Sequence, residues 1–243
     1  DRRFTRGAEF QRVTMTTPPT SADGLIPGIY AAETTGSEES FTTYDATADS
    51  AGAFGFRPLQ ALDYVLTTLL DNPTTPANAH VLIAGTATAS GNDNSILSLV
   101  LEAGGTLSLT GSQSINVTSG QVLARSGAIP ATITGGTVNF GDQAGTVATF
   151  GNLDLNNAVT GTAGWTKVGA ATLSIGAQPA NAAQLTIGEG RVRLLAPMAL
   201  ASQTVTMDAI PTILDVNGHD ASVGGLQGLG TVEVGDRTLT VGS

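Results

Sequence analysis

From about residue 79 onward the chain repeats one short unit: a small residue, a threonine, an aliphatic, a polar residue, an apolar residue and often a glycine. It reads Gly105-Thr106-Leu107-Ser108-Leu109, Gly136-Thr137-Val138-Asn139-Phe140-Gly141 and Ala171-Thr172-Leu173-Ser174-Ile175-Gly176. It returns as Gly230-Thr231-Val232-Glu233-Val234-Gly235 and Arg237-Thr238-Leu239-Thr240-Val241-Gly242. Alternation with period two places the aliphatics on one face of a strand and Ser, Thr, Asn or Glu on the other. The same alternation runs through Leu97, Leu99 and Leu101, through Leu185 and Ile187, and through Val205 and Met207. Spacing between the units is loose. Constant strands joined by variable turns suit stacked coils, in which insertions project outward at the corners.

An antiparallel sandwich also has short strands at regular spacing, and Gly235-Asp236 has hairpin-turn composition between the last two strands. Stacked coils are favoured by the shortness of the strands and by the small residues that fill the turns. Aromatics are 5% of the chain, too few to cement two sheets face to face. The expected fold is therefore all-β, a right-handed parallel β-helix (β-solenoid) over residues 79–243. Residues 1–53 form a less regular N-terminal arm region, with Phe4, Phe10, Val13 and Met15 as its apolar marks before the break at Pro18-Pro19. Residues 54–78 are read as a short helix and turn cap. Leu59, Leu62, Val65, Leu66, Leu69 and Leu70 fall at helical spacing, although Tyr64 to Leu70 is also β-prone. Both readings stay open there.

The charge balance narrows the partners. The net charge of −10 repels a phosphate backbone and no basic stripe interleaved with aromatics occurs, so nucleic acid is not an expected partner. Charged residues are 12% of the chain, about half the usual share, which leaves a surface of hydroxyl and amide groups. Of the ten basic residues only Lys167 is a lysine, while Arg2, Arg3, Arg6 and Arg12 crowd the N-terminus. With no cysteine, disulfides and thiol chemistry are excluded. No apolar run is long enough for a transmembrane segment, and no signal peptide opens at Asp1. The expectation is a secreted or cell-surface segment whose export signal was removed or lies outside it.

Catalysis on stacked coils needs carboxylates aligned on neighbouring rungs, and the candidates are Asp154, Asp208, Asp215, Asp220 and Glu233. Asp215 and Asn217 sit in a turn-like Leu-Asp-Val-Asn-Gly sequence, where they are expected to hydrogen-bond turn backbone. Asp154 falls on the outward phase of its strand. His80 and His219, the two histidines, have no Gly-x-Ser-x-Gly partner and read as surface residues. Gly224-Gly225 opens a calcium-repeat pattern that Leu226-Gln227-Gly228-Leu229 breaks, and Asn116-Val117-Thr118 is a glycosylation sequon by letter. Trp165 is read as packed inside rather than stacked on a sugar. No catalytic residue, metal site or cofactor is expected, and the chain is not read as an enzyme.

Two stretches carry a family resemblance. Gly164-Trp165-Thr166-Lys167-Val168-Gly169-Ala170-Ala171-Thr172-Leu173-Ser174-Ile175-Gly176 resembles the GLTKxGxGTLTLSG core of the autotransporter-associated β-strand repeat, found in passenger domains of bacterial surface proteins. Leu214 to Val232 is similar to the LDLNGxxxxIGSLxGxGTV segment that follows that repeat. The resemblance covers roughly residues 95–242, and more weakly Phe41 to Leu59. Gln178-Pro179-Ala180-Asn181-Ala182 replaces the usual Asn-x-Tyr-x-Gly, and the alternating segments of a membrane barrel are not found in this sequence. The resemblance implies a passenger-like solenoid without its own translocation barrel.

The strand Thr238 to Val241 lies close to Ser243 with no cap after it, so its edge is expected to be open. Either a longer solenoid continues over it, or it pairs with another subunit. Leu239 and Val241 at that edge, with Phe4, Phe10, Val13 and Met15 of the arm, are the expected self-association residues. At about 20–25 residues and about 4.8 Å per coil, residues 79–243 make seven or eight coils, a rod of roughly 35–40 Å. A structural fibre or stalk is the first function expected. A glycan-binding adhesin is the alternative, with a surface glycan as its partner, and a polysaccharide-degrading enzyme ranks last.

Overall fold

The computed structural model describes residues 3–5, 25–33, 38–45, 55–71, 75–91, 93–177 and 184–242. The chain divides into two compact units, Asp1–Val65 and Leu66–Ser243.

The second unit is a parallel β-solenoid of about eight turns. Each complete coil carries three strand segments in fixed order. In one coil these are Ser114 to Val117, Gln121 to Ala124 and Ala131 to Thr134, and each pairs in parallel with the corresponding segment of the next coil. The coils differ in length: the step from His80 to Ser98 is shorter than the step from Gln121 to Thr146, yet both pairs stay in register. The difference is absorbed at corners and bulges, such as that between Val117 and Gln121.

Register converts sequence alternation into columns of like residues. Val81, Leu99, Val122, Val147, Lys167, Ile187 and Met207 succeed one another on one inner face. Ala87, Leu107, Ile133, Leu155, Ile175 and Leu194 do so on a second. Ile115, Val138 and Val159 belong to the third. All these residues are buried, and together they form a core of aliphatic side chains with one lysine inside it. The outward columns are polar: Thr146, Thr166, Thr186 and Thr206 lie in register on successive rungs.

The last two strands follow the same rule. Thr231–Glu233 pairs in parallel with Thr212–Asp215, and Leu239–Val241 with Ala221–Gly228. The Gly235-Asp236 turn thus carries the chain round a corner, and the sandwich reading falls away.

The first unit is built differently. Arg3–Thr5 runs parallel to Leu25–Glu33, which pairs antiparallel with Glu38–Asp45, itself antiparallel to Gly55–Pro58. Leu25, Tyr30, Ala31, Phe41, Leu59 and Tyr64 are buried among its described residues, with the Tyr30 and Phe41 rings 6.1 Å apart. The Ser40 hydroxyl donates to the Leu59 carbonyl at 2.9 Å and lies 2.7 Å from the Tyr64 hydroxyl.

The amphipathic helix expected from the leucine spacing is not formed. Residues 55–71 make the strand Gly55–Pro58, one 3-10 turn at Ala61–Asp63, and the strands Tyr64–Leu66 and Leu69–Asp71. Leu59 and Leu70 are buried, whereas Leu62 is 98% and Leu66 62% exposed, so the helical stripe never assembles. The β-prone Tyr64 to Leu70 run instead supplies the strands Tyr64–Leu66 and Leu69–Asp71, separated by Thr67 and Thr68. The turn is held by Asp63, which accepts from the Gln60 N–H at 2.7 Å and pairs with Arg57.

Ile133 lies fully buried between Leu107 and Leu155 in its column. Replacing it with alanine leaves a cavity that neighbouring coils cannot fill without losing register, so Ile133→Ala is expected to cost about 2–5 kcal/mol. Urea unfolding followed by circular dichroism measures this; a cost below about 1 kcal/mol would contradict a close-packed column.

Candidate functional site

Three places in the solenoid are relevant to function: the strand Leu239–Val241, a charged cluster on an outer face and an amine in the core. Leu239 pairs with Ala221 and Val241 with Val223, and the Gly242 N–H donates to the Val223 carbonyl at 3.0 Å. Backbone groups alternate sides along a strand, so the Val241 N–H points away from that partner. No strand among the described residues pairs with that outer side. Leu239 is half-buried and Val241 is 48% exposed. Of the expected arm residues, Phe4 lies in the strand Arg3–Thr5 opposite Ala31, while Phe10, Val13 and Met15 fall outside the described residues.

The charged cluster gathers two of the candidate carboxylates. Asp215 and Glu233 are register partners on neighbouring coils. Arg191 bridges them, 2.9 Å from Asp215 and 2.5 Å from Glu233, and Arg193 reaches Asp215 at 3.0 Å. Asp154 occupies the same outward column, separated from Asp215 by Ser174 and Arg193. Asp208 and Asp220 stand exposed elsewhere, Asp220 accepting from the Thr238 N–H at 2.9 Å.

Asp215 does what its turn-like surroundings suggested. Its carboxylate accepts from the Asn217 N–H at 2.8 Å, and the Asn217 amide donates to the Leu194 carbonyl at 2.9 Å. Asn217 holds φ at 48°, a conformation asparagine tolerates better than most residues. Burial works to raise the Asp215 pKa, but the Asn217 N–H and the two guanidinium groups outweigh it and hold the carboxyl below its ordinary value. A carboxyl kept ionised in this way is a poor general acid, and the pair reads chemically as an ion-pair ladder between coils.

The remaining candidates stay apart. His80 Nδ1 lies 2.8 Å from the Ser98 hydroxyl on the next coil, and His219 is half-exposed at a turn. Trp165 is buried at 3% exposure between Gly145 and Leu185, with its indole N–H unpartnered among the described residues. Asn116 belongs to an outer ladder in which the Asn139 amide donates to its carbonyl oxygen at 2.8 Å and the Thr160 hydroxyl donates to Asn139 at 3.1 Å.

The core amine is Lys167, which stands at the lysine of the resembled repeat core but was given no role from the sequence. Its side chain is fully buried, and Nζ donates to the backbone carbonyls of Gly169, Ala171 and Glu189, the last two at 2.6 Å. Burial pushes its pKa down to about 7, with the Glu189 carboxylate acting in the opposite direction. A signal existed: Lys167 shares the inward phase of Trp165-Thr166-Lys167-Val168, where period two calls for an apolar residue. Among the described residues no group of three or more His, Cys, Asp or Glu gathers as a metal site, and no helix is long and apolar enough to cross a membrane.

Compared with protein-family models, curated proteins and solved structures, the chain matches none of them.

The cluster makes a pH prediction. Because Asp215 is held below its unfolded pKa of about 3.9, its stabilising contribution is present above that value and is lost as pH falls through the lower folded value. Asp215→Asn is expected to cost about 1 kcal/mol at neutral pH, between an exposed and a buried pair, and to flatten the acid limb of stability. Unfolding midpoints between pH 2 and 7 test it; an acid limb identical to the parent's would contradict the assignment.

Proposed function

We propose that this chain is a structural segment of a secreted or cell-surface solenoid, and that copies associate end to end into a fibre or stalk. The observation that carries the proposal is the parallel, in-register ladder repeated from coil to coil, which any further rung of the same kind, including one from another copy, extends. A second copy offering a strand edge extends the ladder by the pairing already used between coils. This heterologous contact does not close on itself and propagates as a filament.

Other features support the reading. The Gly164 to Gly176 and Leu214 to Val232 stretches resemble repeats of bacterial surface passengers. A coil held only by its neighbours makes length additive, which suits a stalk. The carboxylates brought together at Asp215 and Glu233 are tied by Arg191 rather than poised for proton transfer, which disfavours the glycosidase alternative. The N-terminal stretch with Phe4, Phe10, Val13 and Met15 is the candidate clasp between copies.

Val241→Pro separates edge pairing from other contacts. It removes the outward N–H and leaves the inward bond of Gly242 in place. The parent chain is expected to show concentration-dependent growth by light scattering and filaments in negative stain, with association at least about tenfold weaker in the variant. A parent that stays monomeric at high concentration, or a variant that assembles equally well, would overturn the proposal.

A further inference from the structure

We propose that Lys167 makes the middle of the solenoid acid-sensitive: on acidification the buried amine takes up a proton and places a charge inside the core, held there by three backbone carbonyls. The geometry is that of a cage built for one nitrogen. The carbonyls of Gly169 and Ala171 come from the corner that follows the lysine's own strand, and that of Glu189 from the next coil. Room for the amine depends on Gly190, where an added Cβ would sit 2.5 Å from Nζ and whose φ of 74° favours glycine.

The two protonation states fit this cage differently. An ammonium has three N–H donors, one for each carbonyl; a neutral amine has two, and turns a lone pair toward the third. Protonation therefore tightens the tie between the corner and the next coil. It also buries a charge with no carboxylate in contact among the described residues, which costs the folded state. The charged group acting on Lys167 is Glu189, whose field favours the ammonium, while its register partners Val147 and Ile187 carry no charge. Desolvation prevails over Glu189, in keeping with a proton affinity shifted down to about 7.

The sign of the linkage follows. The unfolded lysine keeps its proton up to its ordinary 10.5, while the folded one releases it near 7. Between those values the unfolded state binds more protons, so stability rises with pH; below about 7 the cost of the buried charge is fully present. Acidification from the alkaline side thus weakens the whole solenoid while knitting one corner more tightly to its neighbour.

Because Lys167 is the sole lysine, a chain labelled with ¹³C-lysine reports one side-chain Cε signal. The expected result is a titration midpoint near 7; a signal that stays constant until about pH 10 would overturn the proposal. In parallel, urea unfolding of the full chain from pH 6 to 10 is compared with that of Lys167→Met. The parent's folding equilibrium constant is expected to gain up to about tenfold per pH unit above pH 7 relative to the variant. Parallel profiles would contradict the proposal, and the titration of the labelled parent decides the matter by itself if the variant does not fold.

Discussion

A parallel strand in a coil cannot satisfy its own backbone; each N–H and C=O finds its partner one turn earlier or later along the chain. The whole solenoid follows from that constraint. Coils of unequal length are tolerated only because the register is restored on every face, as between His80, Ser98, Gln121 and Thr146. Once register holds, each side chain stands above its counterpart. Aliphatics then stack on aliphatics, and hydroxyl or amide groups stack on their own kind. The core needs few large aromatics, Phe140 and Trp165 being buried among the Leu, Ile and Val that fill a narrow interior from three sides.

Like-on-like stacking makes charge a difficulty, since identical charges would sit one rung apart. The chain carries few charges and interleaves those it has. Along one outward column Arg193, Asp215 and Glu233 follow in order, with Arg191 reaching across to separate the two carboxylates. Arg125 on one coil pairs with Glu102 on the coil before, at 2.6 Å. Inside, Lys167 has no counter-ion in contact among the described residues and is held by backbone carbonyls. The polar ladder through Asn116, Asn139 and Thr160 achieves the same order without charge, because an amide is donor and acceptor at once.

Most of the second unit was legible in the sequence because period-two alternation is a property of one strand, independent of its partner. Leu107, Leu155 and Ile175 were placed inside by their phase alone, and Trp165 by the apolar residue that the resembled repeat holds at its position. What alternation does not encode is which strand lies above which, so the meeting of Asp215 with Glu233 became visible only with the register. The stretch from Leu59 to Leu70 misled for a related reason: its leucines satisfy helical and extended spacing alike, and the choice was made by ladder partners. Lys167 was missed because a lone lysine is ordinarily solvated, and only the carbonyls of two successive coils make its burial tolerable.

Parallel, in-register stacking underlies every one of these features, and a chain free of cysteine lets it be measured by introduced pairs. Thr166 and Thr186 are register partners on neighbouring rungs, while Gln184 lies two residues out of register with Thr166. Under mild oxidation Thr166→Cys with Thr186→Cys should form a disulfide, because in-register parallel Cα atoms fall within bridging distance of about 4.4–6.8 Å. Thr166→Cys with Gln184→Cys should not, since the diagonal exceeds that range. Cross-linking of the diagonal pair without the direct one would place the rungs in another register, and the columns built on it would fall.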